Sequence, residues 1–177
     1  MAGIAAGQNG GATTETEDVF GQGPNGPVVA EDGATLRRTN NGIQVKVQMP
    51  TPEPESYDYP DPDENPTAAE PGHPEGFTLW VFVFDETQEP VVIDGEEVPW
   101  SSAFLGAGHM VGGPTLTLSG QINRSHDPLA GHPLENPRDV EIHLAVAPHG
   151  GLDPDIMPDQ IKTPAGGPGM WWFAIFD

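Results

Sequence analysis

Three histidines sit on stretches that read as β-strands: His109, His143 and His149. Imidazole nitrogens brought together from neighbouring strands bind Zn²⁺ or Cu²⁺, so this trio is a candidate metal site. Glu141, two residues before His143, would steady that ring or pair with it across the strand face. The spacing is not a compact ligand motif. His143 and His149 are six apart with Pro148 between them, so they need not share a face. The competing expectation is that each ring bonds a carbonyl or a carboxylate and braces the fold.

A second candidate is acidic. Asp58, Asp61, Asp63 and Glu64 supply the hard oxygen ligands that suit Ca²⁺, on a segment stiffened by proline. The run does not follow the EF-hand spacing and lacks its glycine, and a solvated acidic loop explains it as well. Ser125, His126 and Asp127 are consecutive, and consecutive side chains diverge, whereas a hydrolytic triad must converge. Gly106-Ala107-Gly108 does not match the dinucleotide fingerprint. Trp80, Trp100, Trp171 and Trp172 could form a carbohydrate-stacking platform, although Trp80 and one of the last pair fit better in a core.

The elements that must position these groups are strands. In Val140–Val146, Val140, Ile142, Leu144 and Val146 recur at period two, with Glu141 and His143 on the opposite face. Ile43, Val45, Val47 and Met49 alternate in the same way, and Asn40-Asn41-Gly42 ahead of them marks a tight hairpin. Phe77–Phe84 and Trp171–Phe176 are apolar on both faces, as central or covered strands are. Val91–Ile93 reads as a short strand before an Asp94-Gly95 turn. Trp100–Leu105 reads as one helical turn or irregular chain, Ala107–Ile122 as a hairpin, and Leu152–Gln160 as one short helix.

Between Pro50 and Gly76 lie eight prolines and eight acids and no cation, which forbids helix and central strand. This is a long surface loop that Tyr57 and Tyr59 could pin. Residues 1–34 offer little to a core, so they read as a flexible N-terminal arm that could add a strand to a neighbouring subunit. The domain proper then spans 35–177. The expected fold is an all-β antiparallel sandwich, jelly-roll or immunoglobulin-like, with long Pro/Asp/Glu-rich loops and at most one short helix.

The segments Leu36–Ile43, Phe77–Phe84, Ala107–Gly112 and Asn136-Pro137-Arg138-Asp139-Val140-Glu141-Ile142-His143-Leu144, with His149-Gly150 and Gln160-Ile161 after it, resemble a group of secreted bacterial and archaeal β-domain proteins of unassigned activity. The likeness covers roughly Thr35 to Thr163. That group often carries cysteines near its aromatic strand and a double tryptophan there, and this chain has neither at that place. The resemblance implies a β fold and export, and no chemistry.

Bulk properties narrow the partners. The 177 residues carry 27 acids against six Lys and Arg, a net charge of −21. Nucleic acid and anionic membranes both call for a basic footprint, so neither is expected. A saline habitat or cation binding would each explain the acidity. There is no cysteine for a disulfide or thiolate. No apolar run reaches the ~18 residues of a membrane span, and residues 1–10 lack the charged start and apolar centre of a secretory signal. The leading expectation is an extracellular structural subunit that assembles as a homo-oligomer or polymer. A His-based metal domain or metalloenzyme and a carbohydrate-binding module are the alternatives.

Overall fold

A computed structural model of the chain describes residues 11–53, 56, 57, 74–162 and 168–177. They form β1 (Thr13–Phe20), β2 (Val28–Thr39), β3 (Gly42–Pro50), β4 (Glu75–Phe84), β5 (Val91–Ile93), β6 (Glu96–Val98), β7 (Ser102–Val111), β8 (Thr115–Asn123), β9 (Ala130–Gly131), β10 (Glu141–Gly151) and β11 (Trp172–Phe176). One helix of four residues, α1 (Met157–Gln160), and a 3-10 turn at Pro168–Met170 accompany them.

Nine strands make one antiparallel sheet in the order β8-β3-β2-β1-β11-β10-β4-β7-β9, while β5 and β6 pair only with each other. The sheet curls into a half-barrel whose two flanks face each other, so the architecture is the expected all-β, sandwich-like one. Breaks in register supply the bending. They fall between Glu17 and Val19 in β1, at Leu79/Trp80 in β4 and between Pro148 and Gly151 in β10. A bulge of this kind sharpens local twist.

Alternation decides what goes inside. On β3 and β8, Ile43, Val45, Val47, Met49, Leu116, Leu118 and Ile122 are buried, and the residues between them are mostly exposed. They meet Phe77, Leu79, Val81 and Val83 of β4 and Ile142, Leu144 and Val146 of β10 in the main core. The strands read as apolar on both faces are interior strands with a second layer outside. Trp80, Ala145, Ala147, Trp171 and Phe173 form that outer cluster with Phe82 and Met170. The Phe82 ring lies parallel to Trp80 and Trp171, with centroids 6.4 and 6.2 Å away. Trp172 points the other way, into the main core.

Three expectations change. The arm does not extend to residue 34. Thr13–Phe20 is β1, bonded to β2 along most of its length and to β11 at Phe20, and residues 1–10 lie outside the described part. Its Thr- and Glu-rich sequence hides this because its membership rests on backbone bonds and on two side chains. Val19 is buried, and Glu15 Oε1 meets the buried Arg38 at 3.1 Å. Arg38 also donates to the Val140 carbonyl at 2.6 Å, tying β2 to the start of β10.

Ser102–Leu105 is strand rather than a helical turn. Its Ser102 and Ala103 lie between β4 and β9. The two runs within Ala107–Ile122 are consecutive strands but not ladder partners, since β7 bonds β4 and β8 bonds β3. Of the Pro-rich loop, Tyr57 is described. Its hydroxyl donates to Glu75 Oε2 at 2.7 Å, and its ring packs on Phe77 and Trp172.

Candidate functional site

His149 is fully buried on the outward side of β10. Its Nε2 lies 2.7 Å from Thr78 Oγ1, and that hydroxyl donates to the Ile161 carbonyl at 2.8 Å. A threonine hydroxyl has one hydrogen. Because it is spent on Ile161, the hydroxyl must accept from His149, which makes the ring the neutral Nε2–H tautomer. Nδ1 is then left buried without a bonding partner among the described residues. Burial alone pushes the His149 pKa down to about 4, since a low-dielectric setting disfavours the cation. Beside it the buried Gln160 donates to the Gly151 carbonyl and accepts from Asp153 N–H, fixing α1 against the sheet.

This is a brace: a strand residue, a helix-end carbonyl and a neutral ring. Thr78→Val would strand both the ring N–H and the Ile161 carbonyl in an apolar site. We expect it to cost about 2 kcal/mol, read as a lower urea midpoint at unchanged slope.

The other two histidines are elsewhere. His143 lies on β10 with its Nε2 2.5 Å from Glu141 Oε1 and its ring 4.2 Å from Phe84. Six extended residues place it roughly 20 Å along the strand from His149. His109 is exposed on β7, in register with Phe77. Phe77 is also in register with Pro148, so His109 lies on the core side of the sheet and His149 on the outer side. The expected Zn²⁺ or Cu²⁺ trio therefore does not come together, because strand parity and distance separate its members. No group of three or more metal-ligating side chains converges among the described residues.

The four candidate Ca²⁺ ligands, Asp58, Asp61, Asp63 and Glu64, lie outside the described residues. His126 Nδ1 accepts from the Asn123 N–H in an exposed turn, so this ring caps the end of β8.

One concave feature was not visible as a motif. A groove of about 710 Å³ opens at the end of the half-barrel where β4 stops, between the main sheet and the β5–β6 hairpin. Asp85, Glu86, Glu89, Glu97, Asp139, Glu141 and Asp177 line it with the rings of Phe84 and Trp100, and no Lys or Arg does. Trp100 also packs on Phe82 at 5.6 Å. Asp85 is the fixed member. Burial raises its pKa, but hydrogen bonds from the Thr87 hydroxyl and N–H and from the Asn136 amide outweigh this and hold it below the usual value.

The groove presents acceptors and ring faces, a combination that takes polyhydroxylated or cationic groups. The only sequence signal for it was the density of acids between Asp85 and Glu97 just ahead of Trp100. No protein-family model, curated protein or solved structure matches the chain. Among the described residues, no helix is long and apolar enough to cross a membrane.

Proposed function

We propose that the chain is an extracellular, non-enzymatic β-sandwich subunit that works by assembling with copies of itself. The observation that carries this is the β5–β6 hairpin. It belongs to no larger sheet, and it holds Val92 and Ile93 out at 58% and 40% exposure. Two strands alone are marginal in water, and bare β-branched side chains on a projecting element are what an interface uses. The two apolar side chains stand beside an acidic turn, Asp94-Gly95, and the exposed Glu96 and Glu97. Export is supported by the likeness of Asn136–Leu144 and its flanking segments to secreted β-domain proteins. The wild-type protein should form oligomers or filaments in light scattering and negative-stain micrographs, and a strictly monomeric protein at every concentration would end this reading.

The acidic groove favours a second reading, a carbohydrate-binding module. Carboxylates accept from sugar hydroxyls, and Trp100 supplies a stacking face. If a glycan screen finds a ligand, Trp100→Ala should weaken it roughly tenfold. A ligand bound equally well by that variant would remove the groove from consideration.

A further inference from the structure

Resting on the extracellular part of that reading, we propose that Asn123 is a glycosylation site, whose side-chain amide accepts a glycan from a lipid-linked donor during export. N-linked transfer takes an asparagine followed, after any residue but proline, by Ser or Thr. Of the seven asparagines, Asn123 alone meets this rule, in Asn123-Arg124-Ser125. Asn65-Pro66-Thr67 has the right ends and the forbidden middle.

A transferase has to reach the amide and the hydroxyl two residues on together, so both must stand clear of the fold. Asn123 is the last residue of β8, at the end of the outward row of Thr115, Thr117, Ser119 and Gln121. The Gln121 amide donates to its Oδ1 at 2.9 Å. Its Nδ2 bonds to no described residue and is not buried. Across the ladder Asn123 faces Gly42 of β3, which brings no side chain against it. Arg124 and Ser125 form an exposed turn, closed by the His126 N–H on the Asn123 carbonyl at 2.9 Å. His126 Nδ1 accepts the Asn123 N–H at 3.0 Å, so both backbone groups of Asn123 are held and its side chain stands on a fixed stem. The Arg124 guanidinium donates to the Glu135 carbonyl, which ties the middle side chain to the neighbouring loop. Ser125 is exposed and makes no hydrogen bond with a described residue.

In the transfer, Nδ2 attacks the anomeric carbon of a sugar held through phosphate on a polyisoprenoid carrier. A C–N bond forms and the C–O bond to the phosphate breaks. The lipid phosphate leaves with the bonding pair, and Nδ2 gives up one proton. Donor and transferase belong to the membrane of the producing cell, so only exported chain meets them. The product is a bulky, hydrated group at the end of β8, and contacts between copies have to leave that end uncovered.

The test is mass spectrometry of the full chain, isolated separately from the outside and the inside of the cells that make it. Fragmentation of exported wild type should place a glycan on Asn123 and none on Asn65. Ser125→Ala keeps the asparagine but removes the recognition hydroxyl, and should lose the glycan. Ser125→Thr should retain it. Neither exchange should move the melting temperature, because Ser125 is exposed and bonds nothing described. A bare Asn123 on exported wild type overturns the modification and leaves export standing. A glycan that persists in Ser125→Ala overturns the assignment to this motif. Wild-type chain found only inside the cells overturns export and the modification together.

Discussion

Gly120→Ala should destabilise the fold by about 3 kcal/mol, lowering the melting temperature by roughly 6–12 °C for a chain of this size. Gly120 lies on β8 among the buried residues Leu118 and Ile122, and it faces the opposite flank of the half-barrel. A Cβ there would sit 2.2 Å from the Gly106 carbonyl oxygen and 2.8 Å from its carbon. Both are backbone atoms of β7, so no side-chain rotation relieves the clash. β7 cannot retreat easily either, because β4 lies behind it: even a Cβ added at Gly106 would come within 3.1–3.3 Å of Leu79 and Val81. One added methyl must therefore push the two flanks apart along the seam where the curled sheet closes on itself.

Gly113→Ala is the control. It has nothing within 4 Å and no positive φ, so it should leave stability unchanged or slightly raised. Equal melting of Gly120→Ala and wild type would mean that β7 and β8 do not meet here.

The second large effect is in pH. His149 has its folded-state pKa lowered to about 4, while an unfolded histidine titrates near 6.5. Between those values the unfolded chain takes up a proton that the folded chain refuses. Stability is therefore complete above about pH 6.5 and is lost as pH falls toward 4, by about 3 kcal/mol at the end of the window. Protonation of the many carboxylates relieves self-repulsion over part of the same range and works in the opposite sense. The diagnostic quantity is thus the difference between two curves. Urea midpoints of wild type should fall more steeply from pH 7 to pH 4.5 than those of His149→Gln. Parallel curves would show that burial of this ring does not control acid sensitivity. Asp85 acts below that window. Its lowered pKa contributes stability that is present above the ordinary carboxylate value and vanishes as the group protonates.

Much of the strand content is legible because alternation is a local record of which side chains meet water. Ile43–Met49 and Val140–Val146 each carry it, and both are strands with the expected faces inward. The Asn-Gly turn before β3 and the Asp-Gly turn after β5 are legible for the same reason, since turn chemistry depends on two or three neighbours. β1 was not legible. A strand whose outward side chains are Thr and Glu, with Val19 its one deeply buried side chain, looks like a solvated tail until its neighbours are known.

The candidate site divides along the same line. The amino-acid order alone determined an acidic, cysteine-free, antiparallel β domain with His143 on a strand, whereas Pro148 marked the expected end of that strand's pairing; in the structure β10 runs on through Pro148 and so carries His149 as well. Only the tertiary structure decided that β8 pairs with β3 across more than 60 residues of chain, that Thr78 meets both His149 and Ile161, and that seven carboxylates from four distant segments share a groove with Trp100. The reason is physical. Periodicity and turns are settled by neighbours in sequence, whereas the choice of edge partner and the convergence of side chains depend on burying one common core. That cooperative free energy belongs to the whole chain and is written in no single stretch of it.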